Sequence, residues 1–89
     1  MAKFKISDTF FLTNRGYVLI GTIIDGAINI GDIVYITLDN DLIMSTIKNV
    51  EYVDKIKERI TQIGLIIDLV LTNDYKNQLK GQIIEILDK

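Results

Sequence analysis

The 89-residue sequence contains no cysteine, no histidine, no proline and no tryptophan. The absence of cysteine excludes disulfides and thiolate metal sites. The absence of histidine removes the commonest metal ligand and the usual general base near neutral pH. Paired carboxylates are compatible with catalysis, but no pair of them has a local feature that singles it out. We therefore expect a protein that is not an enzyme and that binds no metal ion or cofactor.

An excess of positive charge and long apolar runs are lacking as well. The formal net charge is -2 and the ten lysines and arginines are scattered along the chain. Because affinity for nucleic acid rests largely on neutralising phosphates, this balance disfavours nucleic acid as a partner, although a local basic patch is still compatible with it. The apolar run within residues 63–67 is far short of the roughly 20 residues of a membrane helix. No apolar stretch of signal-peptide length precedes Asp8, so we expect a cytoplasmic protein without a membrane partner.

The sequence is rich in β-favouring side chains, which occur in short runs. Hydrophobic residues make up 48% of the chain, and isoleucine dominates them. Branched and aromatic side chains pack well on a pleated sheet, and the glycine, aspartate and asparagine between the runs indicate turns. We predict six strands near residues 4–12, 17–24, 28–36, 42–53, 63–72 and 82–87. Residues 54–60 are compatible with at most one short helical turn.

The size of the chain and its lack of proline favour a closed sheet. A chain of 89 residues has room for one domain. Without proline the strand edges lack one common protection against unwanted pairing, and closure into a barrel removes those edges. Gly21, in the middle of a strand, is typical of a barrel corner where the backbone bends or another group comes close. The sequence therefore predicts an all-β fold, a small closed six-stranded barrel of the Greek-key type spanning residues 1–89.

The segment ISDTFFLTNRGYVLIGTIIDGAINIGDIVYI, residues 6–36, resembles the start of the second, β-barrel domain of elongation factor Tu and related translational GTPases. Matching residues stand at the family's D-x-F element and at its G-R-G, T-G, R-G and V-G-D motifs: Asp8, Phe10, Arg15, Gly16, Gly21, Gly26, Gly31 and Asp32. Later matches are looser, at residues 50–51, 63–65 and 80–82. The resemblance covers nearly the whole chain and implies the same barrel fold.

The resemblance also implies an alternative function. These barrels normally accompany a GTPase domain, but no G-x-x-x-x-G-K-[ST] loop occurs in this sequence, so we expect no nucleotide to bind. In elongation factor Tu the barrel helps to hold the aminoacyl end of tRNA, partly through a glutamate that Glu51 matches and an arginine whose place is taken by Asp54. By resemblance, Glu51 is a candidate RNA contact, and an RNA- or ribosome-associated module is the alternative function.

Three consecutive polar residues, Asp39, Asn40 and Asp41, offer oxygen ligands of the kind that hard cations prefer. Such residues also form hairpin turns, because their side chains bond to the nearby backbone. We interpret them as a turn between two strands, and Asp25 and Asp32 in the same way.

Side chains on a strand alternate between the two faces of the sheet, and this predicts an inner and an outer set on the second and third strands. The predicted inner residues are Tyr17, Leu19, Gly21, Ile23, Ile28, Ile30, Val34 and Ile36. Several outer residues are then apolar. If the two strands form one hairpin, these outer residues merge into one exposed patch, and large exposed apolar patches are usually interfaces.

We therefore expect Ile20, Ile24, Ile33 and Tyr35 to form a protein interface. An equally acceptable interpretation is that a bulge at Gly21 or Gly31 changes the alternation and buries these four side chains. With the first interpretation, the sequence predicts a non-catalytic module that binds a protein partner or a second copy of itself.

Overall fold

The computed structural model describes residues 1–12, 16–55, 60–69 and 75–88. Within these residues it contains six strands and one short helix: β1 (Ala2–Leu12), β2 (Gly16–Asp25), β3 (Ile33–Leu38), β4 (Asp41–Lys55), β5 (Ile60–Ile67), α1 (Lys76–Leu79) and β6 (Ile83–Leu87). Neighbouring strands are antiparallel and close into a barrel in the order β1, β2, β5, β4, β3, β6. The consecutive strands β3, β4 and β5 lie side by side, and β2 returns beside β5, which is a Greek-key arrangement. The predicted six-stranded barrel is confirmed.

Strand β1 closes the barrel, because it pairs with β2 on one edge and with β6 on the other. Its register against β2 shifts between Ile6 and Asp8, and Ile6 lies opposite Gly21. A Cβ atom on Gly21 would lie 1.9 Å from the carbonyl oxygen of Lys5. No side chain fits in that space, so the close approach predicted at Gly21 is confirmed. The register shift beside it skips Ser7 of the facing strand, and a second shift, between Lys3 and Phe4, skips Ile24 of β2.

The core follows from the alternation of side chains along each strand. In β3, for example, Val34 and Ile36 are fully buried while Thr37 is exposed. The buried apolar cluster is formed by Ala2, Phe4, Ile6, Tyr17, Leu19, Val34, Ile36, Leu38, Ile47, Ile63, Leu65, Ile67, Leu79, Ile84 and Ile86. The buried hydroxyl groups of Thr9 and Tyr17 lie 3.2 Å apart and bond to each other, which offsets the cost of removing them from water.

Helix α1 covers one end of the barrel, where Leu79 is fully buried. Two glutamines, Gln78 in this helix and Gln82 just after it, continue the pairing of β3 beyond the point where its backbone hydrogen bonds with β6 end. The side-chain amide of Gln82 accepts from the Thr37 N–H (2.9 Å) and donates to the Thr37 carbonyl (3.1 Å). Gln78 accepts from the Asp39 N–H (2.8 Å) and donates to its carboxylate (2.9 Å). An amide side chain thus takes the place of a neighbouring peptide group on this edge.

A charged contact joins α1 to β1. The Thr9 N–H donates to Asp8 Oδ1 (2.9 Å), and the ammonium of Lys76 lies 3.2 Å from the same oxygen. Both contacts favour the ionised carboxylate, so the backbone hydrogen bond first and Lys76 second hold the pKa of Asp8 below its ordinary value.

Several predicted boundaries differ from the structure. Strand β3 begins at Ile33, and residues 28–32 form a turn in which Asp32 accepts from the Asn29 N–H at 2.8 Å. Ile30, predicted to point inward, is 64% exposed in this turn, and Ile23 is also exposed near the end of β2. In the segment 54–60, where at most a short helical turn was expected, the two ends belong to β4 and β5, and residues 56–59 lie outside the described residues.

Substitution of Gly21 by alanine tests the closure of the barrel. We expect Gly21→Ala to lower the free energy of unfolding by at least about 2 kcal/mol, because the new methyl group meets backbone that cannot turn aside. The matched control is Gly64→Ala, whose methyl would lie 3.5 Å from Val18 Cγ1, an ordinary contact. Urea unfolding of both variants measures the difference, and equal stabilities would show that the contact at Gly21 is unimportant.

Removal of the Gln82 amide tests whether its hydrogen bonds stabilise the edge of β3. Gln82→Ala should cost about 1 kcal/mol of unfolding free energy, since two hydrogen bonds to Thr37 are exchanged for bonds to water. Asn77→Ala, at an exposed position of the nearby helix α1, should change stability by less than about 0.5 kcal/mol. Thermal unfolding compares the two variants, and an effect at Asn77 as large as that at Gln82 would contradict this role.

The contact of Asp8 with α1 predicts a dependence of stability on pH. Because the folded-state pKa is lowered, the contribution of Asp8 is complete above its ordinary pKa of about 4 and is lost as the pH falls through the folded-state value. The stability difference between the wild type and Asp8→Asn should therefore be constant above about pH 5 and shrink towards pH 3. Denaturant unfolding at several pH values measures it, and a difference that does not change with pH would refute the prediction.

Candidate functional site

The outer surface of three neighbouring strands, β4, β3 and β6, is predominantly apolar. Alternation places every second side chain of these strands outside the barrel, and antiparallel pairing sets them in rows, such as Met44 beside Tyr35 and Tyr35 beside Glu85. We call this surface the outer face. It consists of Leu42, Met44 and Thr46 on β4, Ile33, Tyr35 and Thr37 on β3, and Ile83, Glu85 and Leu87 on β6.

The apolar side chains of the outer face are unusually accessible. Leu42 is 67% exposed, Met44 63% and Ile83 57%, whereas Tyr35 between them is half-buried. An open groove of about 670 Å³ crosses the face. Its lining is formed by Tyr35, Thr37, Leu42, Gln82, Ile83, Ile84, Glu85 and Leu87. Contact between water and the exposed leucine, methionine and isoleucine side chains around this groove is unfavourable. A binding partner that covers these side chains would release that water.

Lysines flank the outer face on its β6 side. There the next strand, β1, carries Lys3 opposite Glu85 and Lys5 opposite Ile83, and both lysines are exposed. Within the described residues Lys5 has no ion pair. The exposed acidic residues Asp39 and Asp41 lie at the end of the β3–β4 hairpin, where Asp41 pairs with the buried residue Leu38 and not with a residue of the outer face. The outer face therefore borders on a basic strand at its β6 side.

The structure separates the four residues predicted to form one interface. Ile33 and Tyr35 lie on the outer face and are half-buried, as the alternation predicts for β3. Ile20 and Ile24 lie on β2, where Ile20 is half-buried and Ile24 is 52% exposed. None of the four is buried in the core, so a bulge has not turned them inward.

The expected hairpin between β2 and β3 is wrong. Strand β2 pairs with β1 and β5, and β3 pairs with β4 and β6, so two strands separate them in either direction around the barrel. The long connection of a Greek key takes the place of the expected tight turn. The residues on β2 and β3 therefore do not merge into one patch.

The sequence reasoning missed three prominent side chains of this face, namely Leu42, Met44 and Ile83. A signal for the first two was present, because residues 42–44 are all apolar. On a strand with one buried face, three consecutive apolar residues leave at least one of them outside. Ile83 has the same signal in the apolar pair with Ile84. Neither signal says which strands become neighbours.

The other predicted site residues lie away from the outer face or form turns. Asp39 and Asn40 have φ of 51° and 68°, the left-handed conformation of a tight hairpin turn, which supports the turn interpretation. Within the described residues no group of three acidic side chains could hold a metal ion. Glu51 is exposed on β4 opposite Gly64 of β5, and its contact with RNA stays a prediction.

Comparison with known proteins does not identify a function for this chain. In the described part of the chain, no helix has the length and apolar character needed to cross a membrane. The resemblance to the barrel of elongation factor Tu stays a prediction, because it has no independent support. Comparison of the chain with protein families, with curated proteins and with solved structures finds no match.

Proposed function

We propose that this domain is a non-catalytic binding module that holds a protein partner on its outer face. The observation that carries the proposal is the continuity of exposed apolar side chains over three paired strands, with Leu42, Met44 and Ile83 each more than half exposed. Contiguous apolar patches of this kind on soluble proteins are typical of interaction sites.

The arrangement of the face matches the anatomy of a binding surface. Tyr35 is a half-buried aromatic side chain among flexible apolar neighbours, and tyrosine and methionine are enriched at interfaces. Glu85 lies within the face beside Tyr35, and Lys3 and Lys5 border the face on β1. Burial of the central apolar groups drives association, and these charges select the orientation of the partner.

The same features define the chemistry of the partner. It presents apolar side chains to the groove and a carboxylate near Lys5. Because Lys3 already has Glu85 as its neighbour across the strands, Lys5 is available to the partner. The partner is therefore a protein surface or segment with an apolar centre and a carboxylate at its edge.

A displayed library of random peptides tests the proposal without knowledge of the natural partner. Peptides selected on the wild type should be apolar with flanking charges, and Leu42→Glu should weaken their binding by at least about tenfold, since a carboxylate would have to be buried. The matched control is Ile24→Glu, also at an exposed apolar position but on β2, and it should leave the binding unchanged. Thermal unfolding verifies that both variants are folded.

Equal binding of the selected peptides to the wild type and to Leu42→Glu would exclude the outer face. Loss of binding in Ile24→Glu alone would place the site on β2 instead. Failure to select any peptide of this composition would also count against a protein-binding role.

A further inference from the structure

We infer that the partner of the outer face is an extended acidic segment, in which Asp or Glu stands two positions from an apolar residue; this inference rests on the proposed function. The groove opens where the backbone pairing of β3 with β6 ends, after the pair of Tyr35 and Glu85. Beyond that pair the side-chain amide of Gln82 bonds to Thr37 and lies between the two backbones. The partner therefore meets side chains at the floor of this groove.

Thr37 has the smallest side chain of the groove lining, and large apolar side chains flank it. Leu42 pairs with Thr37 on the β4 side, and Ile83 lines the groove on the β6 side. Leu42 and Ile83 are both more than half exposed. An apolar side chain of the partner fits between them above Thr37 and removes part of both from water. We call this place the apolar seat.

Lys5 adjoins the apolar seat on the β6 side. It pairs with Ile83 on β6 and with Thr22 on β2, so both of its neighbours across the strands are uncharged. Lys5 alternates with the buried residues Phe4 and Ile6, which places its side chain on the outside of the barrel. In the described part of the chain Lys5 forms no ion pair. Its ammonium is therefore open to a carboxylate that lies next to the groove.

The neighbouring row of side chains is unfavourable for a carboxylate. Lys3 lies between two acidic residues, since it pairs with Glu85 on β6 and with Asp25 on β2. Glu85 also lines the groove, where its charge repels an incoming carboxylate. The attraction for an acidic group is therefore concentrated at Lys5.

The distance between the apolar seat and Lys5 determines the sequence pattern of the partner. The seat lies between β3 and β6, roughly one and a half strand spacings from β1, or about 7 Å. Side chains at positions i and i+2 of an extended chain are also about 7 Å apart and point to the same side. An extended segment with this spacing places its apolar residue in the seat and its carboxylate at Lys5.

Selection from the displayed peptide library tests this pattern. Peptides selected on the wild type should carry Asp or Glu two positions from their most apolar residue, several times more often than the unselected library. Selection on Lys5→Glu should instead favour Lys or Arg at that position, because the charge of the site is reversed. Wild-type peptides without this acidic residue would overturn the inference.

The affinity of one selected acidic peptide for single variants gives the sharper test, by fluorescence anisotropy at about 0.1 M salt. Lys5→Glu should weaken binding by about tenfold, because an attractive contact becomes repulsive. Lys5→Gln should weaken it by about threefold and replaces Lys5→Glu if that variant does not fold. Glu85→Gln should strengthen binding by about twofold, since it removes a repelling charge from the groove.

Lys48→Glu is the matched control, because it makes the same change of charge at another exposed lysine. Lys48 lies on β4, about 20 Å along the strand from Leu42, which is beyond the range of unscreened charge at this salt concentration. Its affinity should stay within about twofold of the wild type. An equal loss of binding in Lys48→Glu and Lys5→Glu would assign the effect to net charge and overturn the contact at Lys5.

The outcomes separate this inference from the proposed function. If the selected peptides bind Lys5→Glu as tightly as the wild type but lose binding to Leu42→Glu, the acidic partner is excluded and the binding face stands. If no peptide binds in a manner that depends on Leu42, both are wrong. Retention of the wild type but not of Leu42→Glu on phosphatidylserine vesicles, with no peptide selected, would assign the face to an anionic lipid surface and refute both.

Discussion

The close approach of β1 and β2 at Gly21 is the contact on which the rest of the barrel depends. The carbonyl of Lys5 occupies the space where any other residue would place a side chain, and the register of β1 shifts directly beyond it. This lets β1 pair with β2 along one edge and with β6 along the other, so that the sheet closes. Closure in turn fixes which strands are neighbours, and this determines which outer side chains lie together.

The outer face is a consequence of that order. Once β4, β3 and β6 lie side by side, Leu42, Tyr35 and Ile83 occupy adjacent strands with nothing in the described chain to cover them. The interior needs apolar side chains on only one face of each strand, so the outer ones do not serve the core. The Gln82 amide, which extends the pairing of β3, lies beside the groove and leaves no unpaired backbone at Thr37. Binding to this surface is therefore expected to proceed through side chains and not through an added strand.

Local patterns in the sequence predict much of this fold, and the pairing of distant strands limits the rest. The period-two alternation correctly places Val34 and Ile36 inside and Tyr35 outside, and the Asx residues correctly indicate the turn before β4. Neighbouring segments do not reveal that β2 crosses to β5, because the Greek-key connection depends on closure of the whole sheet. Helix α1 was missed for a similar reason: its four residues are too few for a helical period, and burial of Leu79 at the barrel end holds them in place.

The central claim is that the outer face of β4, β3 and β6 is the surface on which this protein binds. A titration with a peptide selected on the wild type, followed by nuclear magnetic resonance of the methyl and backbone amide groups, tests it most directly, since each signal reports its own position. We expect the signals that move as peptide is added to come from the outer face, above all from Leu42, Met44 and Ile83, while those of Ile20 and Ile24 stay fixed. Shifts confined to β2, or no shifts at any peptide concentration, would contradict the claim.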